Sequence, residues 1–166
     1  MALVRAAANS DDAALAAYSD ALADAVDRVI AGWVVRSVEG IMDAWRQGQP
    51  VDPEVARHAT RAAEAARREV VPALRALLAQ DVDEQSTNPL SLLRGAVRYP
   101  TEVLVAAGVP PVVRDEFDER AFPDDPYGLT PASFADVDPS LHEPGLEWGA
   151  AKAHVHLARR RAEGRR

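Results

Sequence analysis

Apolar residues recur at three- and four-residue steps through the first part of the chain. Leu15, Tyr18, Leu22, Val26, Val29 and Trp33 follow this rhythm, which sets them on one face of an α-helix. From Val29 to Trp45 the arc widens, as Ile30, Val34, Val35, Val38, Ile41 and Met42 join it. A helix that is apolar over most of its circumference is buried on several sides. The second half of this helix should therefore be the central element. Ser10, Asp11 and Asp12 offer N-cap chemistry and negative charge for a first turn, so the expected helix covers residues 11–47 and ends at Gly48-Gln49-Pro50. Gly32 and Gly40 lie inside it, either as a cost or as points where another helix approaches closely.

A second stripe runs through Val55, Ala59, Ala62, Ala66, Val70, Leu74 and Leu77. Its start is marked by Asp52-Pro53, a capping residue followed by proline at the first helical position. Pro72 falls inside the stripe and predicts a kink or break, because proline lacks the N–H and crowds the preceding turn. Residues 81–87 are polar and read as a loop.

The pattern then shortens. Nine of the twelve prolines, and all three phenylalanines, lie between Pro89 and Pro144. Asn88-Pro89, Tyr99-Pro100, Pro110-Pro111, Thr130-Pro131, Asp138-Pro139 and Glu143-Pro144 each place a proline where a new helix can begin. The expected helices cover residues 90–98, 101–107 (closed by Gly108 as a C-terminal stop) and 112–121. Single turns follow near Phe134 and Pro139, then a last long helix to residue 163. No run has convincing period-two alternation. The fold expected is all-α: a bundle of about four main helices, with several short Pro-initiated helices wrapped around one end. The chain reads as one domain, with a helical hairpin over 1–84, short helices and loops over 85–145, a C-terminal helix over 146–163 and a tail over 164–166.

Composition changes this picture in three ways. The 166 residues are 48% hydrophobic, much of it alanine, so the core is thin and relies on close helix approach. There is no cysteine, which excludes disulfides, thiolate metal sites and a cysteine nucleophile. The first ten residues are too short in apolar content for a secretory signal, and no later stretch reaches spanning length without charges. A cytoplasmic protein with no membrane partner is expected.

Charge is uneven. The net charge is −7, and residues 111–147 hold ten Asp or Glu against Arg114 and Arg120. This argues against nucleic acid as a partner, since phosphate binding needs clustered basic residues. The arginines of residues 159–166 close a helix and complement its dipole. Lys152 is the lone lysine, a coding bias that points to a high-GC bacterial genome.

Few constellations carry chemistry. His154 and His156 are two apart and cannot face one metal from a helix. Glu54 and His58, and Glu39 and Asp43, share helix faces, but the Glu-x-x-His spacing of di-metal bundles is absent. Asp124-Asp125 and Asp136-x-Asp138 offer oxygen ligands for a hard cation, or turn and cap residues. Neither metal nor cofactor is expected. His142, Glu143 and Glu147 sit beside Trp148 at the start of the last helix. There they form an acid–base pair or simply complement the helix dipole. His142 and Glu147 are the catalytic candidates. Arg94 and Arg98, four apart, either grip a carboxylate or phosphate or pair with the acidic block downstream, the preferred reading. Arg98, Tyr99, Tyr127 and Trp148 are the binding candidates. Phosphate-loop, dinucleotide, nucleophile-elbow and zinc-protease motifs are all missing.

Four runs carry a resemblance: residues 88–94 (NPLSLLR), 98–104 (RYPTEVL), 121–131 (AFPDDPYGLTP) and 141–149 (LHEPGLEWG). Together they resemble a family of uncharacterised actinobacterial proteins, over roughly the C-terminal half of the chain. The resemblance implies a small soluble bacterial protein and brings no catalytic residue with it.

The function expected is a non-enzymatic cytoplasmic binding or regulatory protein. Its contact surface is the acidic, aromatic segment 111–148, and its partner is another protein. The alternative is a small-molecule or metal-dependent enzyme. Its site would lie between the short-helix wrap and the last helix, lined by His142, Glu147, Arg98 and Tyr127. A homodimer is also expected, because the wide apolar arc of the first helix exceeds what one Ala-rich subunit covers. The direction of the rings of Phe117, Phe122, Tyr127 and Phe134 discriminates these readings: buried they are core, exposed they mark an interface.

Overall fold

A computed structural model describes residues 2–80, 87 and 89–131. It is all-α, and the described residues contain helices α1 (Ala2–Arg46), α2 (Pro53–Ala79), α3 (Pro89–Gly95), α4 (Arg98–Ala106) and α5 (Glu116–Ala121), with no strand. The predicted C-terminal helix, the turns near Phe134 and Pro139, and the 81–86 loop lie outside the described residues.

Helices α1 and α2 form an antiparallel hairpin. Asp27 of α1 meets Arg67 of α2 at 2.6 Å, and Asp24 meets Arg75 at 2.6 Å. The Arg67 hydrogen bond holds the Asp27 carboxyl below the usual aspartate range, against a smaller opposing effect of burial. Both pairs are substantially exposed, so they add little to stability. The packing between the helices matters more. Leu22, Val26, Ile30 and Val34 of α1 interlock with Ala63, Ala66, Val70 and Leu74 of α2 in one core cluster, which Leu93, Ala96 and Tyr99 close from the side. A second cluster at the hairpin end joins Val38 and Met42 to Ala59, Val103, Leu104, Val109 and Tyr127.

Start signals acted locally where they were strongest. Asp52 caps α2, its carboxylate accepting the Glu54 N–H at 2.8 Å with Pro53 at the first position. Gly108 adopts φ 77° after α4, and the Val109 N–H reaches back to the Leu104 carbonyl at 3.1 Å, the wrapped end that favours glycine.

Several expectations are corrected. Helix α1 begins at Ala2, so Ser10, Asp11 and Asp12 lie within it rather than capping it. Ala6, Ala7 and Ala8 are strong helix formers, and interior Ser or Asp costs only several tenths of a kcal/mol each, about 0.5. Pro72 does not break α2, which continues to Ala79. Its ring is exposed, while Val70, Val71, Leu74 and Leu77 on either side are buried. That packing holds the helix through a missing hydrogen bond. Gly32 and Gly40 mark no helix approach: a Cβ at Gly40 would meet nothing within 4 Å, and one at Gly32 would meet only the side chain of Arg36. The close approach falls to the alanines instead.

The short helices also shift. Tyr99 and Pro100 lie inside the first turn of α4, which starts at Arg98. Only Glu116–Ala121 is helical in the stretch expected to coil from 112. Val112 instead donates its N–H to the Pro126 carbonyl at 2.9 Å, and Asp115 accepts the Phe117 N–H at 2.9 Å. The Asx-type bond at Asp115 starts the helix there.

Candidate functional site

Two polar clusters organise the face where α3, α4 and the 109–131 segment meet. The first is centred on Tyr99. Its ring is buried in the core, and its hydroxyl emerges between α4 and α2. That hydroxyl donates to Glu69 at 2.6 Å and accepts from an Arg98 Nη at 2.7 Å. The same Arg98 nitrogen bonds Glu69 at 2.7 Å, and the guanidinium carbon lies 4.7 Å from the Tyr99 ring centre. Burial pushes the Tyr99 phenol up. The Arg98 hydrogen bond opposes this, and the bond to Glu69 adds to it.

The second cluster is centred on Asp125, which is only 2% exposed. It accepts the Leu129 N–H at 2.8 Å, the Thr130 N–H at 2.6 Å and the Thr130 hydroxyl. Arg114 stands 3.3 Å away and also donates to the Phe122 carbonyl at 3.2 Å. Burial pushes the Asp125 carboxyl up, but the Thr130 hydroxyl, the two backbone N–H groups and the Arg114 charge together hold it below the usual range. Gly128, at φ 69°, makes the turn that presents these donors. A Cβ there would stand 3.4 Å from an Arg114 nitrogen.

Tyr127 anchors the same segment from inside. Its buried hydroxyl donates to the Val109 carbonyl at 2.8 Å, and burial raises its pKa. It is a core residue. Of the other rings, Phe117 is 76% exposed and Phe122 is half-buried beneath Arg94, 5.3 Å from its guanidinium carbon. Phe134, Trp148, His142 and Glu147 lie outside the described residues, as do His154 and His156.

The arginine pairing differs from expectation. Arg98 pairs with Glu69 of α2, 29 residues earlier, and with no acid of the block among the described residues. Arg94 makes no ion pair among the described residues. Among the described residues, the cations that meet that block are its own Arg114, paired with Asp125, and Arg120, paired with Glu116. The reason is geometric: the start of α4 packs on α2 beside Glu69, while Asp125 is already saturated. Asp125 thus fulfils the turn-and-cap reading rather than the cation-ligand one. No group of three or more His, Asp or Glu capable of holding a metal occurs among the described residues. Glu69 and Arg114 were not singled out by motif, because each acquires its role only through a partner distant in sequence.

An open cleft separates the α3–α4 elbow from residues 121–130. It encloses about 710 Å³ and is lined on one side by Arg94, Val97 and Arg98, and on the other by Phe122, Pro123 and Asp124. No helix among the described residues is long and apolar enough to cross a membrane. No protein-family model matches the chain, and neither a curated protein nor a solved structure is similar to it.

Proposed function

We propose that this is a non-enzymatic cytoplasmic binding or regulatory protein that docks a basic, partly apolar segment of another protein on the acidic surface of its 111–121 stretch. One observation carries the reading: Val113 is 97% exposed and Phe117 76% exposed on a segment that is tied down internally. The ties are the Val112–Pro126, Arg114–Phe122, Arg114–Asp125 and Tyr127–Val109 contacts. Asp115, Glu116 and Glu119 are exposed acids on the same stretch. Holding Val and Phe in water on such a stretch favours an occupant of opposite charge with apolar anchors.

The test places a photo-crosslinking amino acid at position 113 in host cells, with position 105 as an exposed α4 control. The reading expects a protein crosslinked at 113 through a Lys- or Arg-rich segment, lost on Phe117→Asp. Equal crosslinking from 105, or capture through an acidic segment, would contradict it. A homodimer is the second reading, carried by α1. There Val29, Trp33 and Val35 stay half-buried and Trp45 remains 42% exposed, an apolar rim that a second copy would cover. Light scattering that returns a single 17.9 kDa species would remove it. Membership of the actinobacterial family suggested by the 88–149 runs is likewise proposed.

A further inference from the structure

We propose that the cleft between the α3–α4 elbow and residues 121–130 binds a small monocarboxylate with an apolar or aromatic body, with Arg94 as the carboxylate receptor. This site adjoins the 111–121 docking surface at Ala121 and does not depend on it.

The cleft has the size of a ligand pocket. Its volume of about 710 Å³ falls inside the range of about 300–1,000 Å³ typical of small-molecule sites. Val97, Phe122 and Pro123 supply apolar walls for a ligand body.

Arg94 supplies the charge. Every other arginine on this face has an acid: Arg98 has Glu69, Arg114 has Asp125 and Arg120 has Glu116. Arg94 has none among the described residues; its Nε is sealed from solvent, so its Nη groups are the donors a ligand in the cleft can meet. The Phe122 ring lies under its guanidinium, which fixes the fork without neutralising it. A charged group held in place and without an ion pair among the described residues is an arrangement that an oxyanion can complete. Arg98 stands on the same wall, its charge already balanced by Glu69, so it adds donors rather than net charge.

The acids on the opposite wall select among anions. Asp125 is neutralised by Arg114 and saturated by the Thr130 and Leu129 donors. Asp124 is exposed, has no ion pair or hydrogen bond among the described residues, and faces the same cleft. Its charge repels a dianion more than a monoanion. Inorganic phosphate and phosphate esters are therefore disfavoured, and a single carboxylate is tolerated.

The experiment uses the full chain with 15N-labelled arginine side chains. Phenylacetate is the probe and inorganic phosphate the comparison, each titrated to about 50 mM. The proposal expects a saturable shift of the Arg94 Nε–H resonance with phenylacetate, and nuclear Overhauser contacts from its ring to Phe122. Arg94→Lys, which keeps the charge but loses the planar fork, should weaken binding by about tenfold. Asp124→Asn should tighten it by about threefold. Phosphate should bind at least about tenfold more weakly than phenylacetate. No saturable shift in the wild type, unchanged affinity in Arg94→Lys, or phosphate binding as tightly as phenylacetate would each overturn the proposal. The wild-type shifts and contacts decide the matter even if the Arg94 variant fails to fold.

Discussion

The Arg114 guanidinium stands 3.3 Å from the Asp125 carboxylate, and both side chains are almost wholly withdrawn from water. Removing one member of such a pair strands the other charge, at a cost of about 3–5 kcal/mol. Asp125→Ala should therefore destabilise the 109–131 segment by about 3 kcal/mol. Hydrogen exchange should show lost protection at the Val112, Leu129 and Thr130 amides, while the α1–α2 hairpin keeps its own.

The same carboxylate gives a pH dependence of known sign. Its folded pKa lies below the ordinary aspartate range. The associated stability is therefore fully present above the unfolded pKa, about 3.9, and is lost as pH falls through the folded value. Denaturant midpoints measured from pH 5 downward should fall for the wild type. Asp125→Asn should flatten that slope, leaving the share contributed by Asp27, which is also lowered.

Pro72 sits exposed inside α2, so its replacement removes a backbone defect without removing buried contacts. Pro72→Ala should raise stability by about 1–3 kcal/mol. A melting temperature unchanged by this substitution would mean that the helix already absorbs the proline at no cost.

Ala66 is fully buried where α2 meets α1. Leucine would suit the helix by propensity yet has no room in that seam. Ala66→Leu should cost about 1–3 kcal/mol by overpacking, and Leu74→Ala one turn pair further along should cost about 2–5 kcal/mol by leaving a cavity. Chemical denaturation of both variants measures these values. By contrast Phe117→Asp should stay within about 0.5 kcal/mol of the wild type, because its ring makes no core contact. That neutrality is what makes it a clean probe of docking.

The phenol of Tyr99 joins Arg98 to Glu69 at the surface between α4 and α2. Tyr99→Phe should cost about 1 kcal/mol. A double-mutant cycle with Glu69→Gln should show coupling, whereas Tyr99→Phe with Asp27→Asn should be additive. Because the Tyr99 pKa is raised, its stability contribution persists below the unfolded value of about 10. It declines as pH rises through the folded value, and phenolate absorbance at high pH reads that titration.

What the sequence by itself determined is what acts over a single turn or a single face. The α2 stripe, the Asp52-Pro53 start and the Gly108 stop are local consequences of side-chain spacing, capping and backbone freedom, and each stands where the pattern puts it. The all-α class follows from the same signals. What only the tertiary structure decided depends on partners far along the chain. Pro72 stays within a helix because the core on both sides holds it. Arg98 chooses Glu69, and Asp125 is buried because Arg114 folds back eleven positions to meet it. Arg94 has no ion pair among the described residues, although Asp124 lines the same cleft. Electrostatic pairing and burial depend on three-dimensional distance, which residue spacing does not encode beyond a helix turn.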